Sequence, residues 1–379
     1  MAVLRLYELC MNREFINSLR GLKVATALVL LAGIAAIPAT ARAETSSPDK
    51  SPAVLPRQNK PPRKVLIGTV ISGQEIFAQS LEKRLQKMDD FVEKIAAGAK
   101  TKYPGKPLDL VVLPEFLLER PGDSLARQAV RLDEVQPRIA ACASRHGCYL
   151  VVPLLLQESN PTPRISNVAL LVDRGGRVMG MYRKVHPVAP QGSDVIENGT
   201  TPGGEFPVFD CDFGRMGIQI CFDMLYADGW QALAKQGAEI VALPSASPET
   251  IHPSFYALQH KYYIVSATPR DHAAFFSPLG LIENQITGEG VLVHQIDLSY
   301  ALLHWEAVLE EGEALARKFG NKVGFHWYHA EDKGIFWSND PKTTIGQMIG
   351  SLGLTESDAN VERVRLLEDK ARGGPPVMP

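Results

Sequence analysis

The chain has 379 residues, 45% hydrophobic and 22% charged, with a formal net charge of −2. That composition allows a large apolar core in one large or two ordinary domains. It excludes a nucleic-acid surface built on basic excess, and the chain shows no internal repeat and no heptad array.

The first expected element is a targeting segment. Val24 to Ile37 is an uncharged apolar run with Arg20 and Lys23 before it and Ala41-Arg-Ala43 after it. The run fits a signal-peptide core and is short for a membrane span. The expectation is a signal peptide over 1–43, cleavage near Ala43 and an exported, periplasmic or secreted protein without a stable span. An uncleaved anchor is the alternative, and Met11 is an alternative start. Residues 44–63 are rich in Pro, Ser, Lys and Arg, which predicts a disordered linker. The folded domain is expected over 64–300, with a C-terminal extension over 301–379 that packs on the domain or on a partner subunit.

Lys64 to Val70 reads as a buried strand. Ser80 to Lys100 carries Leu81, Leu85, Met88, Val92 and Ile95 at helical spacing. Leu108 to Leu113 is a second strand, ending next to Glu115. Ser124 to His146 reads as one helix and Tyr149 to Leu156 as a strand. Asn167 to Val172 and Arg177 to Tyr182 form a hairpin across Gly175-Gly176. The long loop from Val185 to Pro207 is of a kind that is often functional. Arg215 to Ile220 reads as a strand, Asp228 to Gln236 as a helix, and Glu239 to Leu243 as a strand. His252 to Tyr262 follows as a helix. Tyr263 to Ala267, Ala273 to Ser277 and Gly290 to Ile296 follow as strands. Apolar strands alternating with helices argue a layered α/β core.

In the extension, Leu302 to Phe319 reads as an amphipathic helix. Phe325 to Trp337 is an aromatic cluster, better explained as a satellite core. Thr343 to Leu352 and Asn360 to Ala371 read as helices.

Three strand ends carry chemistry: Pro114-Glu115, Tyr182-Arg-Lys184 and Cys221-Phe-Asp223. In this order the chain resembles the nitrilase, or carbon–nitrogen hydrolase, superfamily, over roughly Lys64 to Leu298. Gly237 to Ser245 is similar to that family's strand after the nucleophile helix. The resemblance implies a four-layer αββα sandwich and a Glu-Lys-Cys triad. It implies hydrolysis of a non-peptide linear amide or carbamoyl C–N bond in a small molecule, no metal or organic cofactor, and a homodimer or larger assembly.

In acyl transfer of that kind Cys221 is the nucleophile, Glu115 the general base beside a lysine, and Lys184 the electrophilic stabiliser, with the Phe222 backbone N–H completing the oxyanion site. The turn after the Cys221 strand leads into a helix, a setting that lowers thiol pKa values. Many family members have a second glutamate in the loop between lysine and cysteine. Glu197 is the candidate, ahead of Glu205. Each residue also has an ordinary alternative: a buried structural cysteine, a helix-capping carboxylate, a surface lysine.

Rival readings are a Cys-His protease with His186 or His252 as base, an N-acyltransferase using the same thioester, and a non-catalytic scaffold. Tyr226-Ala-Asp-Gly-Trp230 stands where typical members carry Pro-Glu, and Phe222-Asp223 argues against a nitrile as substrate. Cys142 and Cys148 either pair or stay free. His326 and His329 lack partners at zinc-ligand spacing. Asn198-Gly-Thr200 is a glycosylation sequon in a eukaryotic secretory pathway only.

Overall fold

The computed structural model of the protein describes residues 55–159 and 163–374. The expected leader and the first part of the expected linker lie outside them.

The first half runs β1 (Lys64–Ile71), α1 (Leu81–Lys102), β2 (Leu110–Val112), the one-turn α2 (Leu125–Gln128), α3 (Leu132–His146), β3 (Tyr149–Glu158), β4 (Arg164–Val172) and β5 (Val178–Arg183). The second half runs β6 (Val208–Asp210), β7 (Arg215–Ile218), α4 (Ala227–Lys235), β8 (Ile240–Pro244), α5 (Ile251–His260), β9 (Tyr263–Ala267), β10 (Ala273–Phe276), β11 (Ile282–Ile286) and β12 (Gly290–Asp297). The extension adds β13 (Tyr300–His304), α6 (Glu313–Phe319), β14 (Val323–Tyr328), β15 (Lys333–Ser338), α7 (Ile345–Gly350) and α8 (Ser357–Arg372).

Two six-stranded sheets result, in the orders β12-β1-β2-β3-β4-β5 and β11-β10-β9-β8-β7-β6. Strand periodicity sets how they stack, because successive side chains point to opposite faces. Val65 and Ile67 of β1 and Leu110 and Val112 of β2 meet Met216 and Ile218 of β7 and Ile240 and Ala242 of β8, forming the layer between the sheets. The alternate residues, such as Leu66, Val70 and Val111, meet Leu85, Met88, Val92 and Ile95 of α1 and Ile139 of α3. On the far side Val241, Leu243 and Ile264 pack on Trp230 and Leu233 of α4 and Tyr256 of α5. The order of layers is therefore helices, sheet, sheet, helices, the αββα sandwich the resemblance implies. Helix α1 can lie so close to β1 because residue 68 is glycine, where a Cβ would strike Ile95.

Several expectations need correction. The helix predicted over Ser124 to His146 is broken, because Val130 leaves it to bridge Leu156 of β3. The helix predicted over Leu302 to Phe319 begins as β13, whose Leu302 and Leu303 pair with Ile335 and Gly334 of β15. Only Glu313–Phe319 is α-helical, after a 3₁₀ turn over Glu310–Gly312. The aromatic cluster is strand too: β13, β15 and β14 form a three-stranded antiparallel sheet. Its inner face, with Phe336 and Trp327, packs with Leu315 of α6 and Ile345, Met348 and Ile349 of α7 as a satellite core. β6 and β11 had no expectation.

Residues 56–63, expected as linker, lie against the fold. Arg57 pairs with Glu356 at 2.7 Å, and Arg63 donates to both Glu239 carboxylate oxygens. Among the described residues no helix is long and apolar enough to cross a membrane.

Candidate active site

β1, β2 and β3 run parallel, as do β7, β8 and β9. β5 is antiparallel to β4, which is antiparallel to β3, so β5 runs with β3. The chain thus leaves β2, β5, β7 and β8 at the same edge of the sandwich. Glu115 follows β2, Lys184 follows β5, Cys221 follows β7, and Ser245 and Ala246 follow β8.

Lys184 Nζ lies 2.8 Å from Glu115 Oε1 and 3.2 Å from Glu197 Oε2. Asn167 Nδ2 donates to Glu115 Oε1 at 2.8 Å and to Glu197 Oε1 at 2.6 Å. The Ala246 N–H donates to Glu115 Oε2 at 2.8 Å. All of these side chains are buried. The backbone fixes Lys184 as well: its N–H donates to the Asn167 carbonyl and its carbonyl accepts from the Gly203 N–H, each at 2.9 Å. Of the two loop glutamates, Glu197 enters the cluster while Glu205 is exposed.

Cys221 sits at φ +47°, the left-handed region that non-glycine residues rarely occupy. Asp223 holds this turn. Its Oδ2 accepts from the Ile220 N–H and the Tyr182 hydroxyl, each at 2.8 Å, and its Oδ1 from the His186 N–H at 2.9 Å. One buried carboxylate therefore joins the Cys221 turn to the segment carrying Lys184. Strain of this sort at φ > 0 clusters at functional sites, where surrounding structure over-determines it.

The electrostatics overturn the expected easy thiolate. The turn Cys221–Leu225 is a short 3₁₀ turn, and α4 starts only at Ala227. Burial pushes the Cys221 thiol up to about 12, and the Glu115 charge acts in the same direction. The Lys184 charge and hydrogen bonding from Ser245 and the Ala246 N–H oppose this and are outweighed. The resting group at neutral pH is a thiol, so a base is needed. For Lys184, burial pulls downward, but the charges of Glu115 and Glu197 and the hydrogen bond to Glu115 outweigh it and hold the ammonium well above its usual range. Burial lifts the Glu197 carboxyl, against the pull of Lys184.

The candidate histidine bases are engaged elsewhere. His186 Nδ1 lies 3.1 Å from Asp223, Nε2 lies 3.3 Å from Asp228, and the ring stacks on Tyr226 with centroids 3.9 Å apart. The Asp223 hydrogen bond leads in raising its pKa. His252 pairs with Glu249 at 2.6 Å. Cys142, Cys148, Cys211 and Cys221 are free thiols. Among the described residues no group of three or more His, Cys, Asp and Glu is arranged to hold a metal.

Sequence reasoning missed Asn167, Ala246 and the linking role of Asp223. Asn167 had a signal: it is a lone amide in a strand that then runs Val-Ala-Leu-Leu-Val, and a buried polar residue is the informative exception.

Residues 70–302 match the family model for carbon-nitrogen hydrolase. An omega-amidase NIT2 of Xenopus tropicalis is 25% identical over 216 residues, covering 51% of this chain and 74% of that protein. A deaminated glutathione amidase of Yersinia enterocolitica is 31% identical over 148 residues, covering 37% and 52% respectively. The crystal structure of Saccharomyces cerevisiae Nit3, a member of the nitrilase superfamily, superposes with a TM-score of 0.50 at 19% identity, over 68% of this chain and 95% of that one, a likeness of fold. With a family match over residues 70–302, more than half of the chain, and the three strand-end residues gathered at one edge, the chain belongs to the carbon–nitrogen hydrolase family.

Proposed function

We propose that this protein hydrolyses the C–N bond of a small linear amide or carbamoyl compound through a thioester on Cys221. The observation that carries the reading is the Glu115 carboxylate. One oxygen accepts from Lys184 and Asn167 and the other from the Ala246 N–H, whose hydrogen bonding also reaches the Cys221 sulfur.

In this reading Glu115 takes the thiol proton as sulfur attacks the carbonyl carbon. The former carbonyl oxygen becomes an oxyanion, held by the Lys184 ammonium and the Phe222 N–H. Collapse breaks the C–N bond, and the proton on Glu115 passes to the departing nitrogen, leaving as ammonia or an amine. A water then gives a proton to Glu115 and attacks the thioester. The sulfur leaves and recovers its proton, and the acid is released. Glu197 and Asn167 hold Lys184 and Glu115 in place. The chemistry of these side chains requires no cofactor. The named activities of the relatives, omega-amidase and deaminated glutathione amidase, support a non-peptide amide as substrate.

The reading places the mature protein outside the cytoplasm, supported by the apolar run Val24 to Ile37 with its basic flank and Ala41-Arg-Ala43. A homo-oligomer is also part of it. Exposed Leu225, Tyr226, Ile251, Phe255 and Leu258 support this, since large apolar patches mark interaction sites.

Intact mass after brief exposure to a panel of amides and carbamoyl compounds tests the mechanism. An acyl adduct mapped to Cys221, absent in Cys221→Ala, is expected. Full turnover by Cys221→Ala would overturn it. Sedimentation of the mature protein checks the assembly.

A further inference from the structure

Arg84 of α1 is fully buried, at 0% exposure. Its Nη1 donates to the Phe116 carbonyl at 2.8 Å, its Nη2 to the Phe77 carbonyl at 2.8 Å, and its Nε to the Gln79 carbonyl at 3.2 Å. The ion pair with Glu119 is looser, at 3.4 Å. The guanidinium fork thus gives its best bonds to backbone oxygens, and Glu119 balances the charge.

Those oxygens belong to two loops. Phe77 and Gln79 lie in the segment after β1, and Phe116 and Glu119 in the segment after β2. Both leave the sandwich at the edge where Glu115 stands. Phe116 is its immediate neighbour and has φ +58°, a region a bulky side chain avoids unless held there. Burial lowers the Arg84 pKa despite its partner, and it lifts Glu119 to about 7. Both shifts show charges buried at net cost, where an apolar pair of similar volume would be an adequate filling. What the ion pair adds over such a filling is a fixed carbonyl at Phe116.

We propose that Arg84 and Glu119 are positioning residues for Glu115, clamping the left-handed turn at Phe116 so that the carboxylate meets Cys221 and Lys184. The proposal rests on the reading of Glu115 as the base. Misplacing a reacting group by about 1 Å can cost about 10²-fold in rate.

The test uses three variants of the full chain, with kcat and KM measured on one hydrolysed amide. Arg84→Lys keeps the charge opposite Glu119, but a point-like ammonium does not hold three carbonyls. Its kcat is expected to fall about tenfold or more with KM within about threefold, the split of a group that acts on the chemical step. Glu119→Gln leaves the carbonyl grip in place and is expected to lose less. Arg84→Met/Glu119→Gln removes grip and charge together and is expected to lose at least as much kcat as Arg84→Lys. Wild-type kcat in folded Arg84→Lys and in the folded double variant overturns the proposal. So does failure of all three to fold, which would make the pair structural only. Glu115→Gln is run beside them. If it keeps turnover, the base reading itself has failed; if it is inactive while Arg84→Lys is fully active, only the positioning proposal has failed.

Discussion

Lys184 Nζ and Glu115 Oε1 are 2.8 Å apart, with side chains 2% and 0% exposed. An ion pair this dry is weak evidence for net stability, yet breaking it from one side strands a buried charge. Lys184→Met is therefore expected to cost about 3–5 kcal/mol in urea unfolding. On the proposed role, its kcat falls by about 10²–10³. A variant with wild-type kcat would remove Lys184 from the mechanism.

The Glu115 charge raises the Cys221 pKa. Glu115→Gln should therefore move the thiol titration downward, read as thiolate absorbance against pH. Turnover should collapse in the same variant, because the proton carrier is gone. The two readouts move in opposite senses: an easier thiolate and a dead enzyme. An upward or absent shift would contradict the electrostatic account of the sulfur.

Asn167 spans Glu115 and Glu197 with one amide nitrogen, at 2.8 and 2.6 Å. Hydrogen bonds to charged groups contribute about 1.5–3 kcal/mol each. Asn167→Leu keeps the volume and removes the donor, so a loss of about 2 kcal/mol and a kcat lower by about tenfold or more are expected. Asn167→Asp, which adds a third carboxylate, should be worse on both counts. Equal activity in the Leu and Asp variants would show that the bridge does not matter.

Glu119 titrates at about 7 in the folded protein, above the 4.5 of an ordinary carboxyl, chiefly because it is buried. The folded state therefore binds its proton more tightly than the unfolded state. Stability from this group is present below about pH 4.5 and is lost as pH rises toward 7, at up to about 1.4 kcal/mol per pH unit. Glu119→Gln lacks that dependence. Chemical unfolding at pH 5 and pH 8 should show wild type losing ground to Glu119→Gln at the higher pH; parallel changes in both would refute it.

Glu115, Lys184 and Cys221 were legible because each closes an apolar run, and strand ends at one sheet edge are where α/β folds build sites. Glu197 was legible through the resemblance and the loop it occupies. Arg84 and Ala246 were not, since their partners stand far off in the chain: Arg84 meets Glu119, and Ala246 meets Glu115. The thiol's acidity was misread because its surroundings come from β2 and β8 rather than from its own turn. In the extension, Leu302 and Leu303 looked helical by spacing. Pairing with β15 and the left-handed Gly312, at φ +106°, overrode that local preference.

Strand β12 lies along β1 over its whole length, Lys64 facing Asp297 and Ile71 facing Gly290. One flank of the first strand thus waits for the last strand of the sandwich. Until that stretch emerges from the ribosome, β1 offers an unsatisfied row of amides and carbonyls, the template on which chains mispair. Closure of so distant a contact is slow. A nascent chain halted before Gly290 should therefore need a chaperone to stay soluble, whatever the integrity of the residues around Cys221.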